Sequence, residues 1–248
     1  MHRTIKELKI SARGRLLGHY KIVITTLIFS VIIVSLINMP FNQMTRQGIA
    51  YQVPPRIVLG AAGSLLVSLL SSLLNIGIAQ IHLKIARRQE TGFPDIFYAF
   101  QNRPDRFLGY NALILMVSVV CVLPGIILAM ISVLLPPAGG SMILILFLAG
   151  AALCIAGCII MFILLLGWAL TPYLLLDQPD LRVMEALKQS RRLMHGGKAR
   201  LFGLILSFLG WILFSVLSFG LGLLWIMPYM TQTCTWFYLD RLPGTSAE

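Results

Sequence analysis

Charge is scarce in this sequence. Of its 248 residues only 12% are Asp, Glu, Lys or Arg, against 58% hydrophobic residues, and the mean hydropathy is +0.86. A water-soluble domain of this length cannot cover its surface with so few charges, so the composition places the chain among integral membrane proteins. Acids are scarcer still, nine against 20 Lys and Arg. The net charge of +11 does not point to nucleic acid, because the cations gather at the ends of hydrophobic runs instead of on a soluble patch; no nucleic-acid partner is expected.

Chemically versatile side chains are equally sparse. Cys121, Cys154, Cys158 and Cys234 all sit inside apolar runs. Cys154 and Cys158 share a helical face with Gly150 at the spacing of a small-residue helix contact. No further His, Cys or carboxylate ligand accompanies them, so neither a metal nor a cofactor is expected. His2, His19, His82 and His195 fall in separate segments near the ends of apolar runs. No nucleophile with a base, no paired carboxylates and no metal-ligand spacing is present, so catalysis is not expected. No Asp, Glu, Lys or Arg lies deep inside an apolar run, where ion-coupled transporters keep an ionisable residue.

What the sequence does have is length without charge. The uncharged windows hold 24 residues between Lys21 and Arg46, 27 between Arg56 and Lys84, 70 between Arg106 and Asp177, and 39 between Arg200 and Asp240. A crossing takes about 17–25 apolar residues. The windows therefore predict one span, one span, two spans and two short spans. Met39-Pro40 marks the end of the first, Pro54-Pro55 precedes the second, and turns are expected at Pro136 to Gly140 and near Ser218-Phe219-Gly220. The last pair is short enough to be a hairpin that enters and leaves without crossing. The run Ile22 to Met39 lacks a small-residue cleavage site and reads as a retained span, not a secretory signal. All Lys and Arg except Arg46 and Arg56 then fall on one side, which the positive-inside rule makes the cytoplasm, with both termini there.

Three amphipathic stretches occupy that side. Ile5, Leu8, Ala12 and Leu16 recur at helical spacing beneath a set of cations, predicting a helix on the membrane surface. Pro94 to Phe100 is a shorter candidate. In the third, Val183, Leu187 and Met194 share a face, with Asp180 as the expected cap and Gly196-Gly197 as the expected stop. A repeat accompanies them: Arg15-Leu16-Leu17-Gly18, Arg106-Phe107-Leu108-Gly109 and Arg200-Leu201-Phe202-Gly203 each follow such a stretch and open a two-span run. The expected fold is all-α and polytopic, with six transmembrane helices arranged as three hairpin repeats, about 1–90, 91–178 and 179–241, each preceded by a cytoplasmic amphipathic helix.

The segments Ile5-Lys6-Glu7-Leu8-Lys9 with Ala12-Arg13, Thr171-Pro172-Tyr173 with Asp177, and Glu185-Ala186-Leu187-Lys188-Gln189-Ser190 carry a resemblance, as does Gly220-Leu221-Gly222-Leu223-Leu224-Trp225 with Pro228-Tyr229. The chain resembles a bacterial family of six-span integral membrane proteins of unknown function. More distantly it resembles the membrane domain found beside some glycerophosphodiester phosphodiesterases. The resemblance implies an inner-membrane protein without an established activity. It carries nothing over between Pro124 and Trp168, and no soluble phosphodiesterase domain accompanies it here.

Two function classes remain. Arg15, Arg106 and Arg200 can reach lipid phosphates, as specific headgroup sites or as generic anchors. With the basic surface helices they suggest a non-enzymatic protein that binds anionic lipid, or a protein or peptide partner, in envelope maintenance or lipid and peptide handling. Ser64, Ser68, Ser71 and Asn75 form one polar stripe, and Pro124, Pro172 and Pro228 are candidate helix breaks. These suggest instead a transporter or channel for a neutral or hydrophobic solute, although such stripes also hold helices together. Gly60, Gly63 and the Gly150 to Cys158 face can pack helices within one chain or between chains, so a homo-oligomer is open.

Overall fold

The computed structural model describes residues 3–134 and 140–242, and all regular structure there is helical. A short helix α1 (Ile5–Leu16) leads into two long ones, α2 (Tyr20–Ala50) and α3 (Pro54–Ala86). A 3-10 turn (Phe93–Phe97) and a single α-turn, α4 (Tyr98–Gln101), precede the second long pair, α5 (Pro104–Leu134) and α6 (Gly140–Trp168). Then come α7 (Thr171–Asp177), α8 (Val183–Leu193), α9 (Lys198–Leu206), α10 (Leu209–Leu217) and α11 (Leu223–Arg241). The turn expected at Pro136 to Gly139 lies outside the described residues, α6 beginning at Gly140.

Each long hairpin closes through small residues. A side chain at Gly60 would collide with Thr45 and one at Gly63 with the Phe41 ring, so α2 and α3 touch closely along that seam. In the second hairpin Gly125 meets Cys154 and Gly150 meets Ala129. Of the expected Gly150 to Cys158 face, Gly150 and Cys154 are used within the chain, bringing backbones together where no hydrophobic force drives helices together in lipid, whereas Cys158 is exposed. Large apolar side chains dominate the outer faces of both hairpins, Val31, Leu66, Val120 and Ile145 among them.

Five helical segments are long and apolar enough to cross a bilayer: Tyr20–Ala50, Pro54–Ala86, Pro104–Ser132, Met142–Asp177 and Lys198–Leu217. The last helix, α11, does not join them. Thr231, Gln232, Thr233, Thr235 and Asp240 dilute its hydropathy, and Gln232, Thr233 and Thr235 are wholly buried. Proline acts differently from expectation at three positions. Pro40, Pro124 and Pro228 lie inside continuous helices, whereas Pro172 occupies the first turn of α7, after the break at Ala169-Leu170. Proline suits a first turn, where its missing N–H has no helical acceptor. The predicted turn at Ser218-Phe219-Gly220 is present, with Phe219 and Gly220 both at positive φ.

The short helices meet protein, not open surface. Leu8, Ala12 and Leu16 of α1 have no exposure at all, because α1 docks on α11 and α3. Ala186, Leu187 and Met194 are likewise covered where α8 packs on α5, α6 and α7, and Ser190 Oγ donates to the Gly167 carbonyl at 2.9 Å. An apolar stripe says only that something must cover it; here that cover is the bundle. The 3-10 turn packs on α3, and each of the three pieces begins in the same way. An acid at the third position accepts the backbone N–H of the residue before the helix: Glu7 from Thr4 at 2.7 Å, Asp95 from Gly92 at 2.9 Å, Glu185 from Arg182 at 3.2 Å. Each acid gives a partner to a backbone N–H at the helix start, and at α1 alone the side chain reciprocates, Thr4 Oγ1 accepting from the Glu7 amide at 3.4 Å. Asp180, the cap expected for α8, is instead fully exposed, 3.9 Å from Arg103. Gly196 does end that region in the left-handed conformation, at φ +70°.

Gly77 fixes the closest approach in the core. A Cβ there would overlap the backbone carbonyl of Ile96, at the heart of the 3-10 turn. Gly77→Ala is expected to lower stability by about 1–3 kcal/mol, as overpacking does. Thermal unfolding in detergent reads this, with Gly210→Ala unchanged as control, since nothing lies within 4 Å of a Cβ on Gly210.

Candidate functional site

The charged residues collect at one end of the bundle, where α3, α7 and α11 finish. The Arg87 guanidinium, just beyond α3, donates two parallel hydrogen bonds of 2.7 Å to the two oxygens of Asp177, the last residue of α7. Tyr238 of α11 donates its hydroxyl to the same carboxylate at 2.6 Å. One acid thus ties three helix ends. Its hydrogen bonds and charge hold the Arg87 guanidinium above its ordinary pKa, in spite of partial burial. Beneath this knot the Tyr173 and Tyr238 rings stack at 5.1 Å. His82 Nδ1 and Gln232 Oε1 meet at 2.6 Å, with Gln232 Nε2 donating back to the His82 carbonyl. Gln232 was not singled out from the sequence. Its signal was there, as the one carboxamide in the last apolar run, and a polar group in such a place needs a partner.

The three repeated arginines stand around this knot with different partners. Arg106 is buried and donates to the carbonyls of Leu175 at 3.1 Å, in the last turn of α7, and of Gln178 at 2.9 Å and Pro179 just beyond it. Arg200 pairs with Asp240 near the end of α11 at 2.8 Å and donates to the Arg3 carbonyl. The Arg3 amide donates to the other oxygen of Asp240 at 2.9 Å, so this cluster also fastens the N-terminal segment to the last helix. Arg15 makes neither a hydrogen bond nor an ion pair among the described residues. Partial burial, and then the neighbouring Arg88 charge, push its pKa below the ordinary value. The three arginines do not converge on one cavity. The repeated glycines differ too: Gly18 is at φ +91°, whereas Gly109 and Gly203 lie within helices.

The polar stripe does not stay together either. Ser64 Oγ is buried without a partner, and Ser68 donates to the Leu65 carbonyl on its own helix. Ser71 borders an apolar cleft with Phe29 and Phe97. Only Asn75 reaches a larger cavity, of about 340 Å³, whose lining draws on all of α3, α5, α7, α9 and α11 and includes Ser72, Asn111 and Tyr173. Asn75 and Asn111 donate to carbonyls on their own helices, Ser71 and Phe107. Among the described residues no three His, Cys, Asp or Glu side chains lie together.

A second cavity, of about 400 Å³, lies between α1 and α11 and is lined by Arg3, Ser11, Gly14, Arg15 and Trp236. The Arg3 guanidinium sits over the Trp236 ring at 5.1 Å, and the indole Nε1–H of Trp236 is buried without an acceptor.

Long apolar helices, a charged end and buried polar ties define a helical, multi-pass membrane protein. The chain belongs to the family described as a protein of unknown function, DUF975, whose model matches residues 1–241. No curated protein and no solved structure matches it.

Asp177 is expected to dominate the stability of this end. Asp177→Asn removes the charge that both Arg87 and Tyr238 address, and should cost about 2–3 kcal/mol, below the cost of breaking a fully buried pair because Arg87 is partly exposed. Asp180→Asn, at the exposed pair, should leave the unfolding midpoint where it was. Differential scanning fluorimetry on detergent-solubilised protein reads both.

Proposed function

We propose that this chain is a non-catalytic protein of the bacterial cytoplasmic membrane that binds anionic lipid at its basic end. A protein or peptide partner held at the same face is part of the same role, in envelope maintenance or in handling lipids and membrane-active peptides. The observation that carries the reading is the unpaired charge of that end. Lys6, Arg13, Lys21, Lys188, Arg191 and Arg192 are all exposed, and none of their side chains has an ion pair among the described residues. Each such cation near an anionic surface contributes about 1 kcal/mol of attraction. With Arg46 and Arg56 alone at the far end, the charge bias orients both termini towards the cytoplasm.

The architecture we propose has six crossings, with α11 as the sixth, in three hairpin repeats around a pseudo-threefold axis along the membrane normal. Three observations support it. The acid-capped starts of α1, the 3-10 turn and α8 are alike. The short pieces dock in a cycle: the 3-10 turn and α4 on α3, α8 on α7, and α1 on α11, which closes the ring. Gly109 faces Val183, the first residue of α8, as Gly203 faces Ile5, the first residue of α1.

In nanodiscs, raising phosphatidylglycerol at the expense of phosphatidylcholine should raise the unfolding midpoint, and added salt should erase the gain, because screening is strong beyond about 8 Å at 0.15 M. A midpoint indifferent to headgroup charge sinks the lipid reading.

One observation favours a second reading, passage of a neutral solute. The cavity lined by Asn75 and Asn111 draws on every hairpin, and each carboxamide donates one N–H to its own helix, leaving the oxygen and the second N–H for a solute. Proteoliposomes challenged with neutral polyols should then swell faster than protein-free vesicles, and slow again with Asn111→Leu. Equal swelling of both kinds of vesicle removes this reading.

A further inference from the structure

The repeated arginines occupy corresponding places. Each opens a hairpin and stands against the segment by which that hairpin's second arm leaves the bundle. For Arg106 that segment offers three carbonyls, and for Arg200 it offers the Asp240 carboxylate, the N-terminal segment adding the Arg3 carbonyl. For Arg15 it offers Arg88, a second cation whose guanidinium has no hydrogen bond or ion pair among the described residues. The position that carries Asp177 in one arm and Asp240 in another is followed by cations at the end of α3, Arg87 and Arg88. Arg87 is already spent on Asp177. Arg200 is therefore ion-paired and Arg106 hydrogen-bonded within the protein, whereas the Arg15 guanidinium has neither kind of partner among the described residues.

The cavity at Arg15 has the donors an anion needs. Two guanidinium groups, Arg3 and Arg15, and the Ser11 hydroxyl belong to its lining residues, the Trp236 side chain completes the lining, and no described acid lines it. Gly14 has nothing within 4 Å of where a Cβ would stand, so a ligand can approach the backbone there. Guanidinium groups present planar, paired donors that match phosphate oxygens. Beside Ser11 and Arg15 on α1, Ile10 is 71% exposed and Leu17 65%, two apolar side chains two turns apart. Cations next to exposed apolar residues on one short helix suit the boundary between headgroups and acyl chains better than they suit bulk water.

We propose that the cavity between α1 and α11 is a binding site for a phosphate-bearing anion, a phospholipid headgroup, held by Arg3 and Arg15. This rests on the anionic-lipid reading above and gives it one address. Arg200, bonded to Asp240 and to the Arg3 carbonyl, fixes the backbone that carries Arg3 into the site.

The test is native mass spectrometry of the full chain in detergent, titrated separately with phosphatidylglycerol, phosphatidylcholine and inorganic phosphate. Wild type, Arg15→Gln, Arg15→Lys and Lys188→Gln are compared, Lys188 being an exposed cation of α8 outside the cavity. The expected result is one phosphatidylglycerol per chain. Arg15→Gln should weaken its binding about tenfold, the loss of one charge-assisted contact. Arg15→Lys, which keeps charge without the paired donors, should fall between, and Lys188→Gln should match wild type. A phosphate adduct without a lipid adduct, lost in Arg15→Gln, supports the site and assigns it to a soluble phosphate. Equal weakening by Arg15→Gln and Lys188→Gln overturns the site and leaves diffuse anionic-lipid attraction standing. No preference for phosphatidylglycerol over phosphatidylcholine, with no phosphate adduct, overturns both. Should Arg15→Gln fail to fold, Arg15→Lys alone decides: binding equal to wild type overturns a role for the paired donors, and weakened binding supports it.

Discussion

The structure depends on one carboxylate. In a chain with nine acids, Asp177 receives two hydrogen bonds from Arg87 and one from Tyr238, and so joins the ends of three helices that arrive from different parts of the sequence. Hydrophobic association cannot do this inside a bilayer, because lipid tails are as apolar as the helices. Polar ties and close backbone contacts must do it instead. The Asp177 knot, the His82–Gln232 pair and the glycine seams of the two long hairpins are those ties, and they place the short helices and both cavities.

From that knot the economy of charge follows. Acids are few enough that each well-placed one is committed: Asp177 to Arg87, Asp240 to Arg200, Asp95 to Lys84 at 2.6 Å and to its own turn. Cations outnumber them by eleven. The excess appears as exposed Lys and Arg on the basic end, and as Arg15 beside Arg88. It is this excess that the proposed contact with anionic headgroups would offset.

Much of this was legible in the sequence. The charge-free windows located the long helices, and the Gly150 to Cys154 spacing anticipated a close helix contact. The heptad-like recurrence of Leu8, Ala12 and Leu16 defined a covered face. Other features were invisible for a physical reason. An amphipathic pattern reports that a face is apolar and not whether lipid or protein covers it; in α1 and α8 the bundle covers that face. The recurrence of an arginine marked three positions as alike, yet Arg106, Arg200 and Arg15 differ in what stands opposite them, and the opposing groups are contributed from 40 to 197 residues away in the first two cases.

The sequence by itself determined that this is a helical membrane protein with its charge at one end, because burial in hydrocarbon demands long uncharged helices and tolerates charge only at their ends. It also determined the acid-capped starts of the short pieces, which are local chemistry. Only the tertiary structure decided which cations are spent and which remain, because pairing depends on distance between segments far apart in the chain. It decided too that Asn75 reaches a cavity while Ser64 and Ser68 do not, since a stripe on one helix is divided among whatever neighbours pack against it.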